Sequence, residues 1–309
     1  MSSLNMSESV VQSPTSGASE HAPAPAEAVE REPFELVIEP RKGWIGVNWA
    51  EMAHYRELLY FLTWRDVKVR YKQTVLGVAW AILVPVFQMV IFTAIFGNFA
   101  GIKDKLPEAL KDHYSLFVYA GLLPWTFFAT GIGSGGLSLV NQQHLLTKIY
   151  FPRMFVPAAT VGGALVDFAI SFGVFACLMA WNVYAPSWQI VFLPLFFALM
   201  ILAAMGVSLA LSALTVSYRD FRFLIPFMVQ AWMFLSPVIY PNSMMQKWHW
   251  LMALNPMTGI IEGYRSCIFG DVLEWNVADI AISTVTTLLL FTFGLFYFRK
   301  TERRFADVA

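Results

Sequence analysis

Charge is scarce in this sequence. Asp, Glu, Lys and Arg make up 14% of the 309 residues, against 57% apolar residues and a mean hydropathy of +0.57. Soluble domains carry roughly 25% charged residues, so that class is excluded and lipid is the expected solvent for most of the chain. The 21 basic and 21 acidic residues cancel. The basic ones are dispersed between apolar runs, which leaves no clustered cationic face for nucleic acid. Cysteine is nearly absent: Cys177 and Cys267 stand far apart without metal-ligand spacing, so both read as structural and no metal site is expected. His21, His54, His113, His144 and His249 fall in tails, loops or a broken apolar region, and no His-Glu-x-x-His spacing occurs. Ser134 in the run Gly131-Ile132-Gly133-Ser134-Gly135-Gly136 therefore has no histidine on a later span to activate it, which argues against an intramembrane hydrolase. Small residues of this kind suit close helix packing. No Gly-x-x-x-x-Gly-Lys-Ser/Thr phosphate loop is present, so the chain is expected to bind no nucleotide itself. A basic stretch leading into an apolar core is missing from the N-terminus, so the first span is expected to act as the targeting signal.

Residues 1–40 are rich in Ser, Ala, Pro and Glu and bury too little apolar area to offset ordering entropy, so a disordered tail is expected. Residues 41–75 form an interface region, amphipathic from Ala50 to Lys72, with Tyr55, Leu58, Leu59, Leu62 and Val69 at helical spacing beside Arg65, Lys68 and Lys72. Phe61 and Trp64 fall off that stripe. Such a helix lies on a membrane surface. Residues 76–309 form the transmembrane part. Apolar runs of about 20 residues, the length that crosses about 30 Å of hydrocarbon, place six spans at 76–98, 115–139, 154–181, 188–214, 223–240 and 277–298. In 241–270, Met244 to Leu254 and Met257 to Phe269 are apolar but too short to cross, and Pro241, Pro256 and Gly270 bound them. These read as re-entrant half-helices. The fold class is thus an all-α membrane protein of six spans with an amphipathic interface helix and a re-entrant region before the last span.

Lys and Arg are retained on the cytosolic side of a bilayer. Arg56, Arg65, Lys68, Arg70 and Lys72 precede span one; Lys148 and Arg153 lie between spans two and three; Arg219 and Arg222 lie between four and five. Arg299, Lys300, Arg303 and Arg304 end the chain. All four groups share one side, which puts both termini in the cytosol and the protein in the inner membrane. A secondary transporter would show paired helix breaks in two halves and buried ionisable residues. Here the broken segments sit in one place, and the mid-span acid is Asp167, which can serve an ion path or bond to a neighbouring helix.

Four ordered stretches carry a family resemblance. Leu62-Thr63-Trp64-Arg65-Asp66-Val67-Lys68-Val69-Arg70-Tyr71-Lys72-Gln73-Thr74-Val75-Leu76-Gly77 resembles the helix leading into span one of ABC-2 type permeases of O-antigen and related polysaccharide exporters. Lys148-Ile149-Tyr150-Phe151-Pro152-Arg153 resembles that family's segment after span two, and Tyr218-Arg219-Asp220-Phe221 its connection from span four to five. Ser236-Pro237-Val238-Ile239-Tyr240-Pro241 with Leu254-Asn255-Pro256-Met257 resembles its exit-side region. The similarity runs from about Glu39 to the C-terminus. It implies a non-enzymatic permease: a homodimer with a channel between its subunits, driven by two copies of a separate ATPase subunit that holds ATP and magnesium. The implied cargo is a glycan on a polyprenyl-diphosphate carrier; exporters of teichoic acid, capsule, small lipids or drugs belong to the same class.

The resemblance makes 142–153 a coupling helix that docks on the ATPase, with Lys148, Tyr150, Phe151 and Arg153 as contacts and Arg65 and Arg70 of the interface helix as a second contact. An ordinary positive-inside loop and a lipid anchor are the alternatives. Aromatic faces can stack on sugar C–H faces while letting a polymer slide; Phe87, Phe92, Phe227 and Phe234 on spans one and five are the channel-lining candidates, whereas Trp44, Trp181, Trp188, Trp248 and Trp250 suit interfacial belts. Tyr240, Asn255, Glu262 and Arg265 are the exit-gate candidates. Glu262 and Arg265, three apart on a helix, can instead form an internal ion pair.

Overall fold

The computed structural model describes Ala53 and residues 55–72, 77–143, 151–242, 244 and 248–302. The expected tail, the start of the amphipathic segment, Lys148 and Tyr150 lie outside the described residues. Those described belong to one compact unit and are mostly helical, with no strand among them. In chain order the helices are α1 (Arg56–Lys72), α2 (Ala79–Phe92, continued as a π-helix over Thr93–Phe99), α3 (Glu108–Lys111), α4 (Tyr114–Asn141) and α5 (Phe155–Trp181). They continue with α6 (Leu193–Ser217, entered by a 3-10 turn at Trp188–Phe192), α7 (Phe221–Phe234), α8 (His249–Ala253), α9 (Pro256–Phe269) and α10 (Val277–Glu302).

Five of these segments are long and apolar enough to cross a bilayer: Ala79–Phe99, Tyr114–Asn141, Phe155–Trp181, Trp188–Ser217 and Val277–Glu302. They match five of the six expected spans within a few residues. The remaining one, expected over 223–240, is helical only through Phe234. At about 1.5 Å per residue its 14 residues extend about 21 Å, short of the hydrocarbon thickness. Pro237 stops it, because proline cannot donate to the carbonyl four residues earlier.

Helix α4 is the hub. Its apolar stretch is 78% buried, whereas those of α2 and α10 are 11% and 17% buried. Glycines give α4 its close neighbours: an added Cβ would stand 3.4 Å from Ala204 Cβ at Gly131 and 3.0 Å from Leu211 Cβ at Gly136. Ser208 of α6 donates to the Gly131 carbonyl at 2.9 Å, so the small-residue run serves packing. Gly206 of α6 and Gly294 of α10 likewise let two backbones cross in direct contact.

At the end of the bundle that carries Arg153, Arg219 and Arg299, which we term the basic end, a second core gathers Leu62, Leu139, Phe151, Phe155, Leu209 and Phe298. It seats α1 against α5, with Leu62 and Val67 of α1 buried. Val69, placed on the apolar stripe by spacing, is 60% exposed, and Tyr60, Phe61 and Trp64 also face outward. The buried face is set by α5, not by the apolar periodicity of α1 alone.

Candidate functional site

Between α2 and α7 runs an open groove of about 550 Å³ whose floor is α4 and α5. Its walls carry a proline each. Pro85 of α2 leaves the carbonyl of Ala81 without its helical donor, and Ser171 Oγ of α5 donates to that oxygen at 3.2 Å. Pro226 breaks the same bond in α7. Trp80 of α2, Trp125 and Phe127 of α4 and Phe168 of α5 supply flat apolar surface, and Phe127 meets Phe168 edge-on at 6.0 Å. Between them stand Gln88 of α2, Gln230 of α7, and Thr126 and Thr130 of α4. Gln88 Oε1 is buried without a hydrogen-bond partner. Aromatic faces beside amide and hydroxyl groups suit a ligand that is apolar on its C–H faces and polar at its rim, as a sugar ring is.

The groove ends, toward the basic end, at a charged cluster. Arg70 Nη1 and the Tyr71 hydroxyl of α1 donate to the two carboxylate oxygens of Asp167 in α5. Burial, together with the Asp167 carboxylate, holds the Tyr71 hydroxyl above the usual tyrosine range, so it remains a donor. Asp167 thus bonds to a neighbouring helix and lines the groove as well.

At the opposite end the chain folds back on itself. Residues 235–241 are non-helical, and side chains take up their carbonyls: Asn255 Nδ2 donates to Leu235 O at 3.1 Å, Arg265 Nη1 to Pro237 O at 2.6 Å, Arg265 Nη2 to Val238 O at 2.5 Å, and the Tyr114 hydroxyl to Ile239 O at 3.1 Å. Arg265 Nε donates to Phe117 O at 3.2 Å, and the guanidinium stacks 3.7 Å from the Phe117 ring centroid. Asn255 caps α9, its Oδ1 accepting from Met257 N and from Trp232 Nε1, with Pro256 at the first helical position. Ser283 of α10 donates to the Ala253 and Asn255 carbonyls, while Ser187 bonds Asp271 and Gln189 donates to the Gly270 carbonyl. The start of α9 therefore sits beside the second turn of α10 and its end beside the loop before α6.

The candidates named from sequence divide accordingly. None of Phe87, Phe92, Phe227 and Phe234 lines the groove; Phe87 of α2 and Phe227 and Phe234 of α7 are 66%, 69% and 55% exposed, and Phe92 packs edge-on against Phe96. Phe151 is buried in the basic-end core beneath Leu62, so its ring is spent within the chain, and Arg153 is half-buried at the following turn. Arg65 pairs with Asp66 and donates to Gln142 at 2.7 Å, tying α1 to the start of the α4–α5 loop. Tyr240 donates to Phe234 O, and Glu262 accepts from Asn242 at 3.3 Å. Arg265 forms no ion pair among the described residues, so its partners are carbonyls and not Glu262. Trp80, Trp125, Gln88 and Gln230 line the groove without having been expected from sequence; for the two glutamines the available signal is a position three or four residues past a proline inside an apolar run.

The profile of the ABC-2 type transporter family matches residues 57–269. The chain is 28% identical over 256 residues to the O-antigen export system permease protein RfbA of Myxococcus xanthus, covering 82% of this chain and 95% of that protein. It is 27% identical over 263 residues to the protein of the same description from Klebsiella pneumoniae, covering 83% and 96%. It is 23% identical over 244 residues to the polysialic acid transport protein KpsM of Escherichia coli, covering 77% and 91%.

Proposed function

The chain belongs to the ABC-2 type transporter family, and from that premise we propose that it is the permease subunit of an exporter carrying polysaccharide on a polyprenyl-diphosphate lipid out of the cytosol. The observation that carries this reading is the groove between α2 and α7, which Trp80, Trp125, Gln88 and Gln230 line together. Aromatic platforms with sparse amides hold a sugar by stacking without trapping it, which a sliding polymer requires. The permease relatives named for O-antigen and polysialic acid support the same cargo class.

Two copies of the chain form the channel in this reading. Helices α2 and α7 leave most of their apolar surface unburied in one chain, α7 burying only Ile225, and a second copy placed across the groove covers them. Helix α7 continued through 235–240 is the remaining span, the fifth in chain order, with the non-helical carbonyls of Leu235, Pro237, Val238 and Ile239 satisfied by Asn255, Arg265 and Tyr114 as backbone at membrane depth must be, and 241–270 is re-entrant. The basic end then faces the cytosol, with both termini there, and the inner membrane is the location. Helix α1 and the 142–153 loop, joined by Arg65 and Phe151, form one docking surface for a separate ATPase. That subunit supplies the nucleotide chemistry.

The test is reconstitution. Proteoliposomes holding the chain and its ATPase should move lipid-linked glycan across the bilayer when ATP is added, and the chain alone should hydrolyse no ATP. Vanadate-sensitive turnover by the purified chain, or ATP-independent glycan movement driven by a proton or sodium gradient, would overturn the proposal in favour of an intrinsic ATPase or a secondary transporter.

A further inference from the structure

The helix that would receive an ATPase's push and the floor of the groove meet at the basic-end cluster of Arg70, Tyr71 and Asp167. Helix α1 lies on α5 through Thr63, Val67 and Arg70, positions that share one helical face. Opposite the first two, α5 presents glycines. A Cβ added at Gly162 would stand 3.0 Å from the Thr63 side chain, and one added at Gly163 would stand 3.9 Å from Val67 Cγ2. Contact here is by van der Waals fit, which carries no direction along the helix. Directional bonds join α1 to α5 at its end, where Arg70 and Tyr71 occupy both oxygens of Asp167. One turn further on, Ser171 holds the Ala81 carbonyl that Pro85 frees in α2. A displacement of α1 along its glycine track therefore pulls on Asp167 and, through α5 and Ser171, on the proline-weakened wall of the groove.

We infer that Asp167 is the positioning residue through which movement of α1 sets the width of the groove, so that its bonds to Arg70 and Tyr71 couple nucleotide turnover to cargo movement. The inference rests on the exporter reading. It assigns Asp167 a part in transmission rather than an ion path: removal of its charge disconnects two elements that each remain folded.

The experiment uses the full chain with its ATPase in proteoliposomes and measures three quantities: recovery of the complex, ATP turnover, and glycan moved per ATP. Asp167→Asn should leave recovery and turnover close to wild type and lower glycan per ATP about tenfold, within the usual range of coupling between sites. Asp167→Glu should retain more coupling than Asp167→Asn. The exchanged pair Arg70→Asp with Asp167→Arg should exceed both of its single substitutions. Wild-type glycan per ATP in Asp167→Asn overturns the inference. So does an exchanged pair no better than its singles, or a loss confined to complex recovery, since a purely structural pin predicts that. A wild-type complex that hydrolyses ATP and moves no glycan defeats the exporter reading instead. Spin labels at Trp80→Cys and Met233→Cys, in a Cys177→Ser background, then decide the inference separately: nucleotide should change their distance in the wild-type cluster and not with Asp167→Asn, and any other pattern overturns it.

Discussion

Arg265 shows how one side chain holds a break in a helical bundle. It is 2% exposed and its three hydrogen bonds go to carbonyls on two different segments, with Phe117 beneath its plane. Gly121 makes the room, since a Cβ there would collide with the guanidinium and with Val238 O. Arg265→Ala strands the non-helical Pro237 and Val238 carbonyls, each worth about 1–3 kcal/mol when buried unpaired, so we expect a Tm lower by several degrees in detergent and a 235–241 segment newly open to protease. Arg265→Lys keeps the charge but lacks the fork, and should not restore either property. Gly121→Ala should mimic the loss while leaving the arginine in place. If Arg265→Ala melts and is cleaved like wild type, the carbonyl clamp is not what fixes the fold-back.

The long helices were legible in the sequence through their apolar length. Asn255-Pro256 announces the start of α9 through a cap and a first-turn proline, and the spans at Tyr114–Asn141 and Phe155–Trp181 follow from apolar length. The site was less legible. Phe87 and Phe227 sit on the same helices as Trp80 and Gln230, and when a helix leaves two faces unburied its apolar period does not say which one meets the groove. The partner of Asp167 lies 97 residues away at Arg70, a pairing no spacing rule reaches. Phe151, a docking contact by family resemblance, is taken up by the core under α1. That gives an element-scale prediction: Phe151→Ala leaves a cavity costing about 3 kcal/mol, loosens α1 and the 142–153 loop together, and should reduce ATPase association measured by co-purification even though the ring itself touches no partner. Unchanged recovery of the complex and unchanged Tm would show that the two segments dock independently.

Across the whole molecule, burial falls from α4 at the centre to α2 and α10 at the edges, the order expected of a bundle whose outer helices meet lipid or another copy. Topology follows from the same layout. Cysteines placed at Pro241 and Asp271 should label from one side of the membrane and one at Lys300 from the other, in a Cys177→Ser background where the native Cys267 is buried; labelling of Pro241 and Asp271 from opposite sides would refute the fold-back. If glycan passes along the groove between α2 and α7, photocrosslinking of stalled cargo will find it there. With a photoreactive residue at Gln88 or Gln230 and the ATPase held by a hydrolysis-blocking substitution, the permease should acquire glycan-bearing adducts. The same residue at Leu289, 65% exposed on α10, should acquire none. Glycan adducts at Leu289 with none at Gln88 or Gln230 would place the glycan path outside the groove.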